Sequence, residues 1–196
     1  MTLSADFILS SASPRRRDLL KQIGARFIVQ PVFTDETVFA GESPVEYVTR
    51  MAETKASAGW RASNQSLPVM AADTAVVLAQ KIFGKPENQQ QALQTLQFLS
   101  GTTHRVLSGV AICQDERIES LVSETLVTFR HLDRDEMERY WQTGEPADKA
   151  GAYAIQGAGA VFVDKIEGSY SGVVGLPVAE TTQLMRRFGI PWWQQW

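Results

Sequence analysis

Hydrophobic and polar positions along the chain fall into alternating strand-like and helix-like patterns. Phe7-Ile8-Leu9 is an apolar run that gives way to Ser10-Ser11-Ala12-Ser13, then Pro14, then Arg15-Arg16-Arg17, which open a segment with Leu19, Leu20 and Ile23 at helical spacing. This predicts strand, tight loop and helix, with Ser13 as N-cap, Pro14 at the first helical position and Gly24 as the left-handed stop. Residues 26–30 predict a second strand ended by Pro31, and residues 34–38 a loop carrying Asp35 and Glu36. Ser43-Pro44-Val45-Glu46 is a capping box opening a helix whose inward stripe is Val48, Met51, Ala52, Ala56 and Gly59.

Pro68 to Leu78 reads as a strand, with a turn at Gln80-Lys81 and a return through Ile82 to Pro86. Asn88 caps a helix through Leu93, Leu96 and Leu99 to Gly101. The alternating stretches 105–113 and 118–129 predict an antiparallel pair, and Asp133 caps a helix with Met137, Tyr140 and Trp141 inward. A glycine-rich irregular stretch, 148–159, leads into a strand over 160–166, a hairpin turned by Gly168 and a last helix opened by Pro177. The order β-α-β-α-β-β-α-β-β-α-β-β-α mixes crossovers with hairpins. An α/β fold on a mixed sheet follows.

Composition narrows the function classes. The 196 residues suffice for one sizeable core, and no linker divides them, so a single domain over residues 1–196 is expected. A formal net charge of -3 argues against bulk nucleic-acid binding. The lone Cys113, inside an apolar run, reads as core packing in a reducing compartment. The N-terminus lacks signal-peptide features and no apolar run approaches membrane-spanning length, so the expectation is a cytoplasmic protein with no membrane partner. The aromatic tail, residues 191–196, is expected to pack on the body or to contribute to a homodimer contact.

Serine hydroxyls, free backbone N–H groups and guanidinium forks crowd the start of the first helix, an arrangement suited to phosphate. Asp73 ends the run Pro68 to Ala72, and a carboxylate inside a strand is costly to bury unless paired or metal-bound. Lys55 lies on or beside the inward stripe of its helix, so it either snorkels to solvent or borders a cleft needing a cation. Lys85 is a second such cation. The glycines of residues 151–159 allow close backbone approach to a ligand, but Phe162 breaks any dinucleotide fingerprint, and no Gly-Lys-Ser/Thr marks a P-loop.

Three separated segments taken together are specific: Ser11-Ala12-Ser13-Pro14-Arg15-Arg16, Ala72-Asp73-Thr74, and Asp148-Lys149-Ala150-Gly151-Ala152-Tyr153-Ala154-Ile155-Gln156-Gly157. They resemble the signatures of the Maf family of nucleoside triphosphate pyrophosphatases, and the resemblance runs on to Gly175-Leu176-Pro177. It implies a two-lobed mixed α/β fold around a central cleft, like that of inosine triphosphate pyrophosphatases. It also implies hydrolysis of a nucleoside triphosphate to monophosphate and pyrophosphate with a divalent cation, Mg or Mn. By that resemblance Ser11, Arg15, Arg16, Lys55 and Lys85 hold the triphosphate, Asp73 accepts the proton, and Glu36 with Asp73 faces the metal. Arg15, Thr74 and Gln156 fall on positions linked to substrate choice, and the Gly-Ala-Tyr-x-Ile-Gln pattern resembles the branch acting on dTTP, UTP and 5-modified pyrimidine analogues. Ala154 departs from the glycine often found there. A non-catalytic nucleotide-sensing regulator of cell division is the alternative, disfavoured because a sensor needs no embedded base.

Overall fold

The structure, a computed structural model, describes residues 5–194. Its strands are β1 (Phe7–Leu9), β2 (Phe27–Val29), β3 (Val69–Leu78), β4 (Lys81–Phe83), β5 (Thr103–Gln114), β6 (Arg117–Phe129) and β7 (Val163–Glu167). The helices are α1 (Pro14–Gln22), α2 (Pro44–Ala62), α3 (Gln89–Leu99), α4 (Arg134–Gln142), α5 (Tyr170–Val174) and α6 (Val178–Arg187). All strands join one mixed sheet of order β2-β1-β3-β5-β6-β7, with β4 also on β3. β1 runs parallel to both β2 and β3, and the remaining pairings are antiparallel. The expected α/β class and mixed sheet are present.

Helices cover both faces of β3. Val69, Ala71, Ala75 and Val77 pack in clusters that include Val48, Met51, Ala52, Ala56 and Trp60 of α2. Met70, Ala72 and Val76 belong to the larger cluster on the opposite face, with Leu19 and Leu20 of α1. The alternation along a strand therefore sends Asp73 to the α2 face and Thr74 to the other. At Gly109 on β5 a Cβ would lie 2.6 Å from the Val48 carbonyl, so a glycine there lets α2 settle on the sheet.

The edge of β3 is interrupted, and the interruption is where the chemistry collects. β1 pairs with β3 at Val69 and Met70, and β4 pairs with it at Val76, Val77 and Leu78. Between them no strand among the described residues covers that edge over residues 71–75. β1 also lies between β2 and β3, with α1 and α2 on opposite faces, so the loop leaving β1 opens at a switch of chain direction. Such points in open α/β sheets form crevices.

The predicted capping box is made in full, with Glu46 N–H donating to Ser43 Oγ and Ser43 N–H to the Glu46 carboxylate. Gly24 has φ +66°, as expected of a left-handed stop. Three expectations need correction. Ser13 stands at the N-cap of α1 without a side-chain cap bond; its own N–H donates to Ser11 Oγ at 3.2 Å. The strand expected from residue 160 begins at Val163, because Ala158–Phe162 forms a 3-10 turn held by Glu145. After Gly168 the chain enters α5 instead of another strand, since Ser169 caps it by accepting from Gly172 N–H.

Cys113 is buried in the core as expected. The described part of the tail packs on the body: Trp193 N–H donates to the Ile23 carbonyl at 2.8 Å, and Gln194 Nε2 to Asp6 at 2.9 Å. Gln195 and Trp196 lie outside the described residues. Among the described residues no helix is long and apolar enough to cross a membrane.

Candidate active site

A cleft of about 470 Å³ opens at the uncovered edge of β3, and every residue singled out in the sequence lines it: Ser11, Arg15, Arg16, Glu36, Lys55, Asp73, Thr74, Lys85 and Gln156. They come from the β1–α1 loop, α1, the 34–38 loop, α2, β3, the segment after β4 and the irregular stretch after α4. A wider groove of about 1000 Å³ between α3 and α4 contains none of them.

At the centre, the Lys55 ammonium donates to Asp73 Oδ1 at 2.7 Å and to Glu36 Oε1 at 2.6 Å. The Lys55 and Asp73 side chains are nearly buried, whereas Glu36 is half exposed. Lys55 therefore does not snorkel to solvent; it borders the cleft. Burial pushes the Glu36 carboxyl up, but the hydrogen bond and charge of Lys55, with Lys85 and Arg16 behind it, bring it net below its ordinary value. Tyr47, on the first turn of α2, donates to the Glu36 carbonyl at 3.2 Å and so fastens the 34–38 loop over the site.

The loop after β1 is organised around Ser11. Its hydroxyl accepts from Ser13 N–H and from Arg16 Nη1 at 3.1 Å, which leaves its own proton for the cleft. Arg16 also donates from Nε to the Gly175 carbonyl at 2.8 Å, tying the start of α1 to the end of α5. Burial lowers the Arg16 pKa, with Asp73 acting against that, yet a guanidinium stays charged at any working pH. Arg15 is half-buried and Lys85 exposed at the rim, and among the described residues neither is held in a hydrogen bond or ion pair.

Thr74 has the opposite polarity to Ser11. Ser108 Oγ lies 2.7 Å from the Gly172 carbonyl, which can only accept, so the Ser108 proton points there. Thr74 must then supply the proton of the 2.9 Å contact with Ser108. Toward a ligand Thr74 offers lone pairs only.

The stretch after α4 places Gln156 exposed on the rim and Tyr153 in the buried wall. Gly151 has φ +71° and packs so closely on Val76 that a Cβ would lie 2.7 Å from its Cγ2; its N–H bonds to the Gly84 carbonyl. Only glycine suits that position. Lys149, paired with Asp148, also faces the cleft, so five cations stand there against three carboxylates. Lys149 lies within a signature segment, with no role expected of it from the sequence. Tyr47 and the fully exposed Phe33 on the rim carried no signal at all.

Among the described residues no three His, Cys, Asp or Glu side chains gather to hold a metal by themselves. The Glu36–Asp73 pair does fit a hard cation held jointly with a ligand. Two carboxylates already converge on one positive group, and Mg²⁺ is commonly bound by one or two carboxylates plus substrate phosphates.

The chain is similar to known proteins over nearly its whole length. The family model described as Maf-like protein matches residues 6–188. A protein of Alkalilimnicola ehrlichii named dTTP/UTP pyrophosphatase is 51% identical, the alignment covering 96% of this chain and 95% of that protein. Relatives of the same name in Pseudoalteromonas atlantica and Saccharophagus degradans are 50% and 48% identical, over 93% and 97% of this chain and 97% and 92% of theirs. Among solved structures, a nucleoside-triphosphatase / dITP/XTP pyrophosphatase from Mycobacterium abscessus is similar over 93% of this chain and 97% of that one, with TM-score 0.46 and 12% identity. The family match spans the sheet, the cleft and all three signature segments, and the chain belongs to the Maf family.

Proposed function

We propose that the protein is a nucleoside triphosphate pyrophosphatase acting on dTTP and UTP, and on pyrimidine analogues modified at position 5. The observation that carries this reading is the cleft itself: five cations surround an embedded Asp73 at the open edge of β3. The names of the relatives support it and supply the substrates.

The residues divide the work by chemistry. A triphosphate carries about four negative charges, so its binding and transition state both require several fixed cations. Arg15 and Arg16 contribute planar forks, and Lys55, Lys85 and Lys149 mobile point charges. Ser11 donates its free proton to a phosphate oxygen. Water attacks, the anhydride bond between the α and β phosphates breaks, pyrophosphate leaves, and the water's proton passes to the Asp73 carboxylate. Glu36 and Asp73 would hold a divalent cation, Mg or Mn; when bound, it neutralises phosphate charge and lowers the pKa of water.

Base choice falls to the side chains with the matching polarity. Gln156 offers one acceptor and one donor, which suits the N3–H and a flanking carbonyl of uracil or thymine; cytosine lacks that N3–H. A polar site facing the wrong base leaves its own groups unpaired and rejects it. No contact in this scheme involves position 5, hence the tolerance for modification there. A reducing compartment suits the free Cys113, and we assign the enzyme to the cytoplasm.

The test is a panel of dTTP, UTP, CTP, GTP and 7-methyl-GTP, with product analysis, with and without Mg²⁺ or Mn²⁺. Monophosphate and pyrophosphate from dTTP and UTP are expected. Faster cleavage of CTP or 7-methyl-GTP overturns the specificity, and binding without hydrolysis favours a sensor.

A further inference from the structure

Residues 154–159 carry Gln156 exposed, and two of their backbone N–H groups meet one carboxylate. Glu145, in the 3-10 turn Glu145–Asp148 after α4, accepts from Ala158 N–H through Oε2 and from Gly159 N–H through Oε1, each at 3.0 Å. Oε1 also accepts from the Tyr140 hydroxyl at 2.6 Å, and that hydroxyl accepts from Ala154 N–H at 3.1 Å. A single side chain thus holds both ends of the loop, one directly and one through Tyr140. Tyr140 is itself fixed on α4 by an edge-on contact with Phe162, ring centroids 4.8 Å apart.

The glycines of the stretch answer to this clamp. A Cβ at Gly157 would lie 1.9 Å from Glu145 Oε2, and one at Gly159 would lie 2.6 Å from the Tyr140 hydroxyl. What approaches the backbone there is Glu145 and Tyr140. The expectation that a ligand would take that space is corrected at these two positions.

We propose that Glu145 and Tyr140 are positioning residues for base selection, fixing the loop that presents Gln156 at the rim of the cleft. The inference rests on the reading of Gln156 as the group that meets the base. The groups assigned to the triphosphate stand outside residues 154–159: Ser11, Arg15 and Arg16 on the β1–α1 loop and α1, Lys55 on α2, Lys85 after β4, and Lys149 paired with Asp148 at the end of the Glu145–Asp148 turn. Loosening the 154–159 loop therefore leaves the phosphate site in place while removing the hydrogen bonds that tell one base from another.

Two variants open the clamp at constant volume. Tyr140→Phe removes the hydroxyl and strands Ala154 N–H. Glu145→Gln has one acceptor oxygen where the native group has two, so its amide NH₂ must face a donor on one side. The assay measures kcat and KM for UTP and CTP, and the inhibition constant of inorganic tripolyphosphate as a base-free probe, with Gln156→Ala as benchmark. Both variants are expected to raise KM for UTP at least tenfold and to shrink the UTP-over-CTP preference by a similar factor, with tripolyphosphate inhibition unchanged. Adding Tyr140→Phe to Gln156→Ala should cost no further preference, because both changes remove one interaction. A proportional loss on UTP and CTP, or weaker tripolyphosphate inhibition in step with it, makes the clamp a general scaffold and overturns the inference. So does an unchanged preference in Tyr140→Phe, which keeps the direct Glu145 bonds and tests the point even where Glu145→Gln does not fold. A wild type that cleaves CTP as readily as UTP removes the base reading itself, and the inference with it.

Discussion

The Lys55 ammonium lies 2.7 Å from Asp73 Oδ1, bridging α2 and the uncovered edge of β3, with Glu36 on its other side. Embedding a carboxylate in a strand is costly without such a partner, and the pairing leaves Asp73 Oδ2 free to meet a proton donor. Asp73→Asn keeps the shape and removes the basicity. Turnover of dTTP is expected to fall by about two to four orders of magnitude, the usual span for a general base, while affinity for a non-hydrolysable analogue changes far less. Rate and affinity measured on the same preparation check this. Turnover near that of the wild type excludes Asp73 as the base.

Lys55→Met separates the electrostatic role of the lysine from its packing. Glu36 sits below its ordinary pKa although burial pushes it up, and Lys55 is the nearest opposing charge. Without Lys55 the Glu36 carboxyl rises. A group that must be ionised for activity then loses its charge at a higher pH, so the acidic limb of the kcat/KM profile should move toward neutrality. Overlapping acidic limbs for the two proteins would show that Glu36 ionisation does not govern the reaction.

The two neighbouring arginines should behave differently despite their shared signature. Arg16 ties the Ser11 hydroxyl and the Gly175 carbonyl together, whereas Arg15 makes no such bond among the described residues. Arg15→Ala is expected to lower kcat/KM about tenfold to a hundredfold, the loss of one charge-assisted contact, with an unchanged Tm. Arg16→Ala should lose activity and stability together, by about 1–3 kcal/mol in unfolding free energy for stranding buried partners. Kinetics and thermal melts on both variants decide it; an unchanged Tm for Arg16→Ala would make it purely a ligand-holding group.

Much of this site was legible because its signals are local. A capping box is written in four residues, and Ser43 with Glu46 forms it as expected. A carboxylate inside a strand pattern stands out in one run, and Asp73 is indeed embedded in β3. What stayed hidden depends on partners distant in the chain. Nothing near residue 160 tells that Glu145 will hold Ala158 and Gly159 in a turn, delaying β7 to Val163. The extended start expected after Gly168 loses to a cap at Ser169 and to Ser108, 64 positions from Gly172 in the chain, which hydrogen-bonds the α5 backbone. The glycines of the 151–159 stretch showed that something comes close, and tertiary structure alone identifies Val76, Glu145 and Tyr140 as what does.

One buried base takes no part in the proposed chemistry. His104 on β5 is 1% exposed, donates or accepts one hydrogen bond at 2.9 Å with the Tyr153 hydroxyl, and lies edge-on to the Phe129 ring at 4.9 Å. Its Nδ1 has no partner among the described residues, and burial lowers its pKa from 6.5 to about 4. Well above pH 6.5 the ring is neutral in both folded and unfolded chains, so there it contributes no pH dependence. As pH falls from there toward 4 the unfolded chain takes up a proton that the folded protein refuses, and stability drops. At pH 5 the loss from this one group is about 2 kcal/mol relative to pH 7. His104→Gln does not titrate and can still bond Tyr153, so urea unfolding of the variant should lack that component while keeping whatever the carboxylates add. Equal losses of unfolding free energy between pH 7 and pH 5 in the two proteins would show that His104 takes up its proton without unfolding the chain.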